Sequence, residues 1–271
     1  MSTRDQYPAG VPCWVETFQP DPRAALRFYG ALFGWEFSEP GSMVSVEGEY
    51  FVAQIGGRDV AGVGTLPDLG EPPIPAWGTS ILVESADRAV ERAAEGGGRL
   101  LLGPVKASRG GRWAVLADPA GAAFGVWEAG GRGGAQTVNE PGTWTMSSLH
   151  TPDPAGAATF YGAVFGWEPE PIAPGSPVML FRLPGYVGGE PEQPIPRDVV
   201  GVMTATETGT DGPAIPPHWN VNLRVDDTDA VSALAAALGG SVLMPPMDSP
   251  GFRSAVLLDP QGAAFSISGR A

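Results

Sequence analysis

The sequence predicts an α+β protein made of one domain written twice. Residues 20–36 read PDPRAALRFYGALFGWE and residues 152–168 read PDPAGAATFYGAVFGWE, identical at 12 of 17 positions at an offset of 132. A second pair, VLADPAGAAF at 115–124 and VLLDPQGAAF at 256–265, repeats at an offset of 141, so copy two carries about nine extra residues. Between these markers, helical and strand-like apolar patterns follow one another in the same order in both copies. At 271 residues the chain is long enough for two ordinary domains, each burying a core of its own.

Each copy starts with a strand-like run, 12–18 and 144–150. Pro-Asp-Pro then opens a helix: Asp21 and Asp153 are placed to cap it, and Pro22 and Pro154 take the first helical position, where no N–H is needed. Ala25, Phe28, Tyr29, Leu32 and Phe33 recur with helical spacing, as do Ala157, Phe160, Tyr161, Val164 and Phe165; Gly34 and Gly166 fit the stop. Short β-like runs broken by Gly and Pro follow. A second helix is predicted at Ala86–Glu95 and at Thr228–Leu238, each closed by glycines, and three more strands end at 123–128 and 263–268. Each copy thus reads as βαβββ twice. Residues 10–128 are read as the first domain and 142–269 as the second, with 129–141, AGGRGGAQTVNEP, a Gly-rich linker. The polar stretch 185–198 holds the extra residues of copy two, either as solvated filler or as a lid over a site.

Composition narrows the partners. With 43% apolar and 17% charged residues the chain is globular, and its apolar runs are of strand length, far short of a membrane span. The net charge of −14 argues against nucleic acid and anionic membrane surfaces, which both demand a basic footprint. The first ten residues, MSTRDQYPAG, lack the apolar core of a secretory signal, and Cys13 is the only cysteine, so a cytoplasmic protein without an internal disulfide is expected. Lys106 is the only lysine, which leaves a P-loop absent and a single candidate for Schiff-base chemistry.

The motifs FYGALFGWE and FYGAVFGWE, the turns DPAGAAF and DPQGAAF, and the second-helix segments VESADRAVERAAEGGG and VDDTDAVSALAAALGG together resemble the vicinal oxygen chelate superfamily of glyoxalases, extradiol dioxygenases and bleomycin-binding proteins. The doubled form looks like tandem glyoxalase-like proteins of actinomycetes. The resemblance covers nearly the whole chain and implies two tandem glyoxalase-like domains, each made of paired βαβββ modules closing a curved sheet around a cavity. Metal-dependent members of that superfamily place His, Gln or Glu in the cavity. Carried over, those positions fall on Trp14 and Met146 of the first strands, on Gly78 and Asn220 before the second helices, and on Gly125 and Ser266 of the last strands. None is a normal ligand for a divalent first-row metal. No metal and no cofactor is therefore expected, and fold alone does not set the chemistry.

Alternation along the strands selects the cavity-facing side chains. Trp14 brings Glu16 and Phe18 to its face; Met146 brings Ser148 and His150; Asn220 brings His218, Asn222 and Arg224. Both histidines of the chain thus fall in copy two. His150 and His218 are read as a general acid/base pair or single base, with Ser148 as a further candidate, or else as hydrogen-bonded structural imidazoles at strand ends; a displaced metal site is the remaining alternative. Glu16 is read either as an acid or base whose pKa a closed cavity would raise, or as a partner for an arginine such as Arg112. Arg112 and Arg253 recur at equivalent positions, clamping a ligand oxyanion or pairing with Asp118 and Asp259. Trp113 and Trp127 join Trp14 in copy one, and Trp144 and Trp219 cluster in copy two, which suits a flat, largely apolar ligand. Trp35 and Trp167 read as core, and Met244 and Met247 beside Pro245 and Pro246 as pocket rim or ordinary packing. The expected function is a monomer or homodimer that binds a small apolar or aromatic metabolite of secondary metabolism. It either transforms that ligand by proton transfer in copy two (isomerisation, cyclisation or hydration) or sequesters it. A metal-dependent lyase or dioxygenase remains only with an unorthodox His site.

Overall fold

A computed structural model describes residues 6–42, 48–67, 74–107, 110–131, 133–188, 198–206 and 216–270. Copy one forms a sheet from β1 (Pro12–Gln19), β2 (Glu36–Phe37), β3 (Gly41–Ser42), β4 (Glu49–Ile55), β5 (Arg58–Thr65), β6 (Ala76–Val83), β7 (Arg99–Ala107), β8 (Gly111–Ala117) and β9 (Ala123–Glu128). Its order is β2-β4-β5-β1-β6-β9-β8-β7, with β3 beside β4. Copy two forms the second sheet from β10 (Trp144–Thr151), β11 (Glu168–Pro171), β12 (Val178–Arg182), β13 (Val199–Ala205), β14 (His218–Arg224), β15 (Ser241–Ser249), β16 (Phe252–Leu258) and β17 (Ala264–Arg270), ordered β11-β12-β13-β10-β14-β17-β16-β15. In both, the two βαβββ modules join through their first strands, β1 against β6 and β10 against β14. The sheets are not closed into barrels. Most of the extra loop of copy two, residues 189–197, lies outside the described residues.

Among the described residues, four helices accompany the sheets: α1 (Pro22–Phe33), α2 (Ala86–Glu95), α3 (Pro154–Phe165) and α4 (Thr228–Ala237). The repeated Pro-Asp-Pro works as the spacing predicts. Asp21 accepts from the Ala24 N–H and Asp153 from the Gly156 N–H, each at 2.9 Å. Gly34 and Gly166 end α1 and α3 in the left-handed region, at φ of 71° and 77°.

The expectation that each copy buries a separate core is corrected. One apolar cluster joins α1, β4 and β5 of copy one to α4, β16 and β17 of copy two; the other joins α2, β8 and β9 of copy one to α3 and β13 of copy two. The apolar stripe of each first helix packs against its own sheet and also against the last strand of the other copy. The Tyr29 ring meets Phe265 edge-on at 5.7 Å, and the Tyr161 ring lies 5.5 Å from Phe124. Their hydroxyls donate across the same seam, Tyr29 to Asp259 Oδ2 at 2.8 Å and Tyr161 to Asp118 Oδ2 at 3.2 Å, and accept from the Trp77 and Trp219 indoles at 2.9 and 2.8 Å. Trp35 donates to the Gly142 carbonyl and Trp167 to the Gly10 carbonyl, both at 2.7 Å. Between the helix pairs the sheets meet directly, with the Thr79 and Ser147 hydroxyls 2.7 Å apart.

This arrangement overturns the expected pairing of Arg112 and Arg253 with the turn aspartates. Asp118 and Asp259 accept backbone N–H groups of their own turns and the tyrosine of the other copy. Arg112 pairs instead with Asp87 of α2, and Arg253 with Asp229 of α4 and Asp248 of β15. Alternation explains this, because the arginine side chains leave the sheet on its helix side. The connecting residues are also tied in: Ala135 and Val138 are buried, and the Ala135 N–H donates to the Cys13 carbonyl at 2.8 Å.

Candidate functional site

With one face of each sheet turned to the helices, the opposite face carries the positions expected to line a cavity, and is called the cavity face for that reason. On β1, Val15 and Thr17 are fully buried on the core side, which turns Trp14, Glu16 and Phe18 the other way. Register places Gly62 and Gly78 beside Glu16, Gly64 and Ala76 beside Phe18, and Ser80 beside Trp14. Ser80 in turn neighbours Gly125, and Leu82 neighbours Trp127, which pairs with Trp113. The Glu16 carboxyl accepts from the Tyr50 hydroxyl at 2.6 Å and from Ser80 Oγ at 3.3 Å. Trp14 donates to the Tyr50 oxygen at 2.8 Å and Trp113 to Ser80 Oγ at 3.3 Å, so a single network holds the acid. Burial pushes Glu16 up to about 7, against the downward pull of Tyr50 and Ser80. Arg112 is not its partner; that arginine sits on the helix side. The Phe18 ring lies 5.5 Å from Trp113 and 6.4 Å from Tyr50. Tyr50 was missed by the sequence reading, which did not resolve β4. Its only signal was the Gly-Val-Gly at 62–64, where two glycines on one strand face leave room for a ring.

The same positions in the second sheet carry different chemistry. Register aligns Met146 with Asn222, Ser148 with Asn220, and His150 with His218 across the central strand pair. The two imidazoles stack at 4.9 Å with planes 7° apart. Ser148 Oγ lies 3.2 Å from His150 Nε2, and His218 Nδ1 donates to the Pro216 carbonyl at 2.8 Å. Burial, and then the neighbouring His218, push His150 down to about 4, so its imidazole is neutral at ordinary pH. Asn220 donates to Ser266 Oγ at 2.7 Å, and Ser268 donates to Asn222 Oδ1 at 3.1 Å. Asn220 Oδ1 and Asn222 Nδ2 have no partner among the described residues.

Three expected ligand-binding residues sit elsewhere. Trp144 is buried in the shared core and donates to Ser147 Oγ at 3.1 Å, because a register irregularity between Trp144 and Met146 breaks the alternation that would have aimed it at the cavity. Trp219, grouped with it, is also core. Arg253 is engaged on the helix side by Asp229 and Asp248. Arg224 lies on the cavity-side register beside Ser268, with its guanidinium donating to the Asn139 carbonyl. Met244 and Met247 are exposed on the edge strand β15.

The superfamily positions for a metal do not suit one. They present indole and thioether at Trp14 and Met146, no side chain at Gly78 and Gly125, and amide and hydroxyl at Asn220 and Ser266. Among the described residues, no three His, Cys, Asp or Glu side chains gather closely enough to hold an ion. His150 and His218 stack face to face, and among the described residues neither ring is bonded to a carboxylate. No helix among the described residues is long and apolar enough to cross a membrane.

Comparison with known proteins agrees with the architecture. A family model for a glyoxalase-like domain matches twice, over residues 14–127 and 144–268. The protein named "Putative glyoxylase CFP32" of Mycobacterium tuberculosis is 37% identical over 98% of this chain and 97% of its own length. The anthracycline biosynthesis protein DnrV of Streptomyces peucetius is 34% identical over 97% of this chain and 94% of its own. Among solved structures, a Mn(II)-bound glyoxalase from Novosphingobium aromaticivorans superposes with a TM-score of 0.64 at 15% identity, covering 96% of this chain and 82% of that one. At such identity the likeness speaks for the fold alone. Two matches to one family, each spanning one sheet, and relatives alike over nearly their full length place this chain in the glyoxalase-like family, as a tandem member of the vicinal oxygen chelate fold.

Proposed function

We propose that the chain is a metal-independent enzyme of secondary metabolism, acting in the cytoplasm on a small, largely aromatic metabolite by proton transfer at the second sheet. The observation that carries this reading is the neutral His150, in contact with Ser148 and stacked on His218 along a wall of small polar side chains. A neutral imidazole accepts a proton without first losing one, and Ser148 Oγ is within reach to relay it. His218, anchored through Nδ1 to a backbone carbonyl, keeps the His150 ring in plane. Asn220 Oδ1 and Asn222 Nδ2 offer one acceptor and one donor for orienting a ligand carbonyl or hydroxyl. The kinship with an anthracycline biosynthesis protein favours a polyketide-derived aromatic as the substrate class.

The test is to incubate the protein in deuterated water with a panel of polycyclic aromatic metabolites, anthracycline precursors included, and follow deuterium uptake and product formation by mass spectrometry. Wild type is expected to exchange or convert at least one compound that it binds, and His150→Ala to bind it with similar affinity while losing turnover by about 100-fold or more. Binding of ligands with neither exchange nor conversion would favour the second reading, sequestration, which the aromatic lining of the first sheet supports. Elemental analysis is expected to find no stoichiometric transition metal; finding one would overturn the metal-free part.

A further inference from the structure

We propose that the cavity face of the first sheet is a separate binding site for planar organic cations. Among the described residues, five rings line this face: Trp14, Phe18, Tyr50, Trp113 and Trp127. Glycines beneath them let the rings lie flat. A Cβ on Gly64 would stand 2.9 Å from ring atoms of Phe18 and Tyr50, one on Gly62 would meet the Tyr50 hydroxyl, and one on Gly125 would meet Ser80 Oγ. None of these three glycines has a left-handed backbone, so the turn of the chain does not require them. Their counterparts by register in the second sheet are Thr204, Val202 and Ser266, where the described residues form no such layer of Trp, Tyr and Phe rings. Gly62 and Gly64 of copy one therefore make room for the rings, on the sheet face opposite the helices.

Electron-rich ring faces attract cations, most of all from Trp. Beneath them sits Glu16, whose hydrogen-bond partners Tyr50 and Ser80, with Trp113 and Trp14 beside them, are all neutral. Among the described residues that register puts on this face, the one basic side chain is Arg99, opposite Ala117 on the edge strand β7, four strands away from the β1 strand that carries Glu16; the Arg224 of copy two is answered here by Leu82. An aromatic layer over a carboxyl lacking a protein cation matches a flat ligand with a positively charged nitrogen. The shift of Glu16 toward neutrality fits a group still awaiting that charge.

Proflavine, a planar cation, and acridone, its neutral planar counterpart, are the probes, with binding read from quenching of tryptophan fluorescence above neutral pH. Proflavine is expected to bind at least tenfold more tightly than acridone. Glu16→Gln should cut proflavine affinity about tenfold and leave acridone unchanged. Gly78→Leu is a second probe, since a Cβ there meets nothing closer than the Glu16 carbonyl at 3.9 Å; it should keep the fold and block both dyes. His150→Ala should leave both affinities as they are, which separates this site from the second sheet. Equal affinity for the two dyes, binding of neither, indifference to Glu16→Gln, or loss on His150→Ala would each overturn the assignment.

Discussion

The two cavity faces share one backbone plan and almost no chemistry. Where copy one has Trp14, Glu16 and Phe18 on its first strand, copy two has Met146, Ser148 and His150; where copy one has Gly78 and Ser80, copy two has Asn220 and Asn222. The helix-side faces are the reverse case, with Tyr29 and Tyr161, Trp77 and Trp219, and Asp118 and Asp259 making the same bonds. A residue on the helix side must satisfy two copies at once, because its partners belong to the other half of the chain. A residue on the cavity side answers only to its own sheet and its ligand. That difference in constraint lets one side stay fixed while the other diverges.

The shared core can be broken most directly by separating the copies. Residues 1–131 and 133–271, made as two polypeptides, are each expected to lack cooperative unfolding and to bind a hydrophobic dye, and their mixture to regain native tryptophan fluorescence. Two halves that each unfold cooperatively alone would refute the shared core. Next in size, Asp259→Ala strips the acceptor from the buried Tyr29 hydroxyl, the Gln19 amide and two turn N–H groups. It should cost about 3 kcal/mol or more in chemical denaturation, against about 1–1.5 kcal/mol for Tyr29→Phe.

The two faces should also respond to pH in opposite directions. Glu16 moves from an ordinary 4.5 up to about 7, so between these values the folded state holds the extra proton and stability falls as pH rises. Glu16→Gln should flatten that slope, worth on the order of 3 kcal/mol for a shift of this size. His150 moves from 6.5 down to about 4, so over that window the unfolded state binds more protons and stability falls as pH drops. His150→Asn should remove this smaller, partly solvent-screened component. Unfolding midpoints of both variants across pH 4 to 8 check the pair of signs, and slopes of the same sign would break the contrast.

Much of the fold was legible because duplication wrote it twice: the Pro-Asp-Pro starts, the αL glycines and the DP turns each had a second instance to confirm the reading. Strand alternation likewise brought Glu16, His150 and His218 to the cavity sides. What failed depended on neighbours far apart in sequence. The tyrosine–aspartate bonds across the copies have no local signature, and Arg112 and Arg253 were given to nearby aspartates although alternation sends them to the helices. Trp144 was misdirected by a register irregularity that no composition announces. The metal positions were readable only by analogy, and their side chains argue against the chemistry that analogy suggests.

The reciprocal tyrosine–aspartate bonds have the form of a two-fold dimer contact, residue i to j and j to i, written on a single chain. Were the copies separate molecules, folding would weaken with dilution and both would carry the same sequence. Joining them makes assembly independent of concentration, since each half meets the other at the high effective concentration of a tether. It also lifts the demand for identity, so an acidic aromatic cavity and an imidazole-bearing one can exist in every molecule at a fixed ratio of one to one.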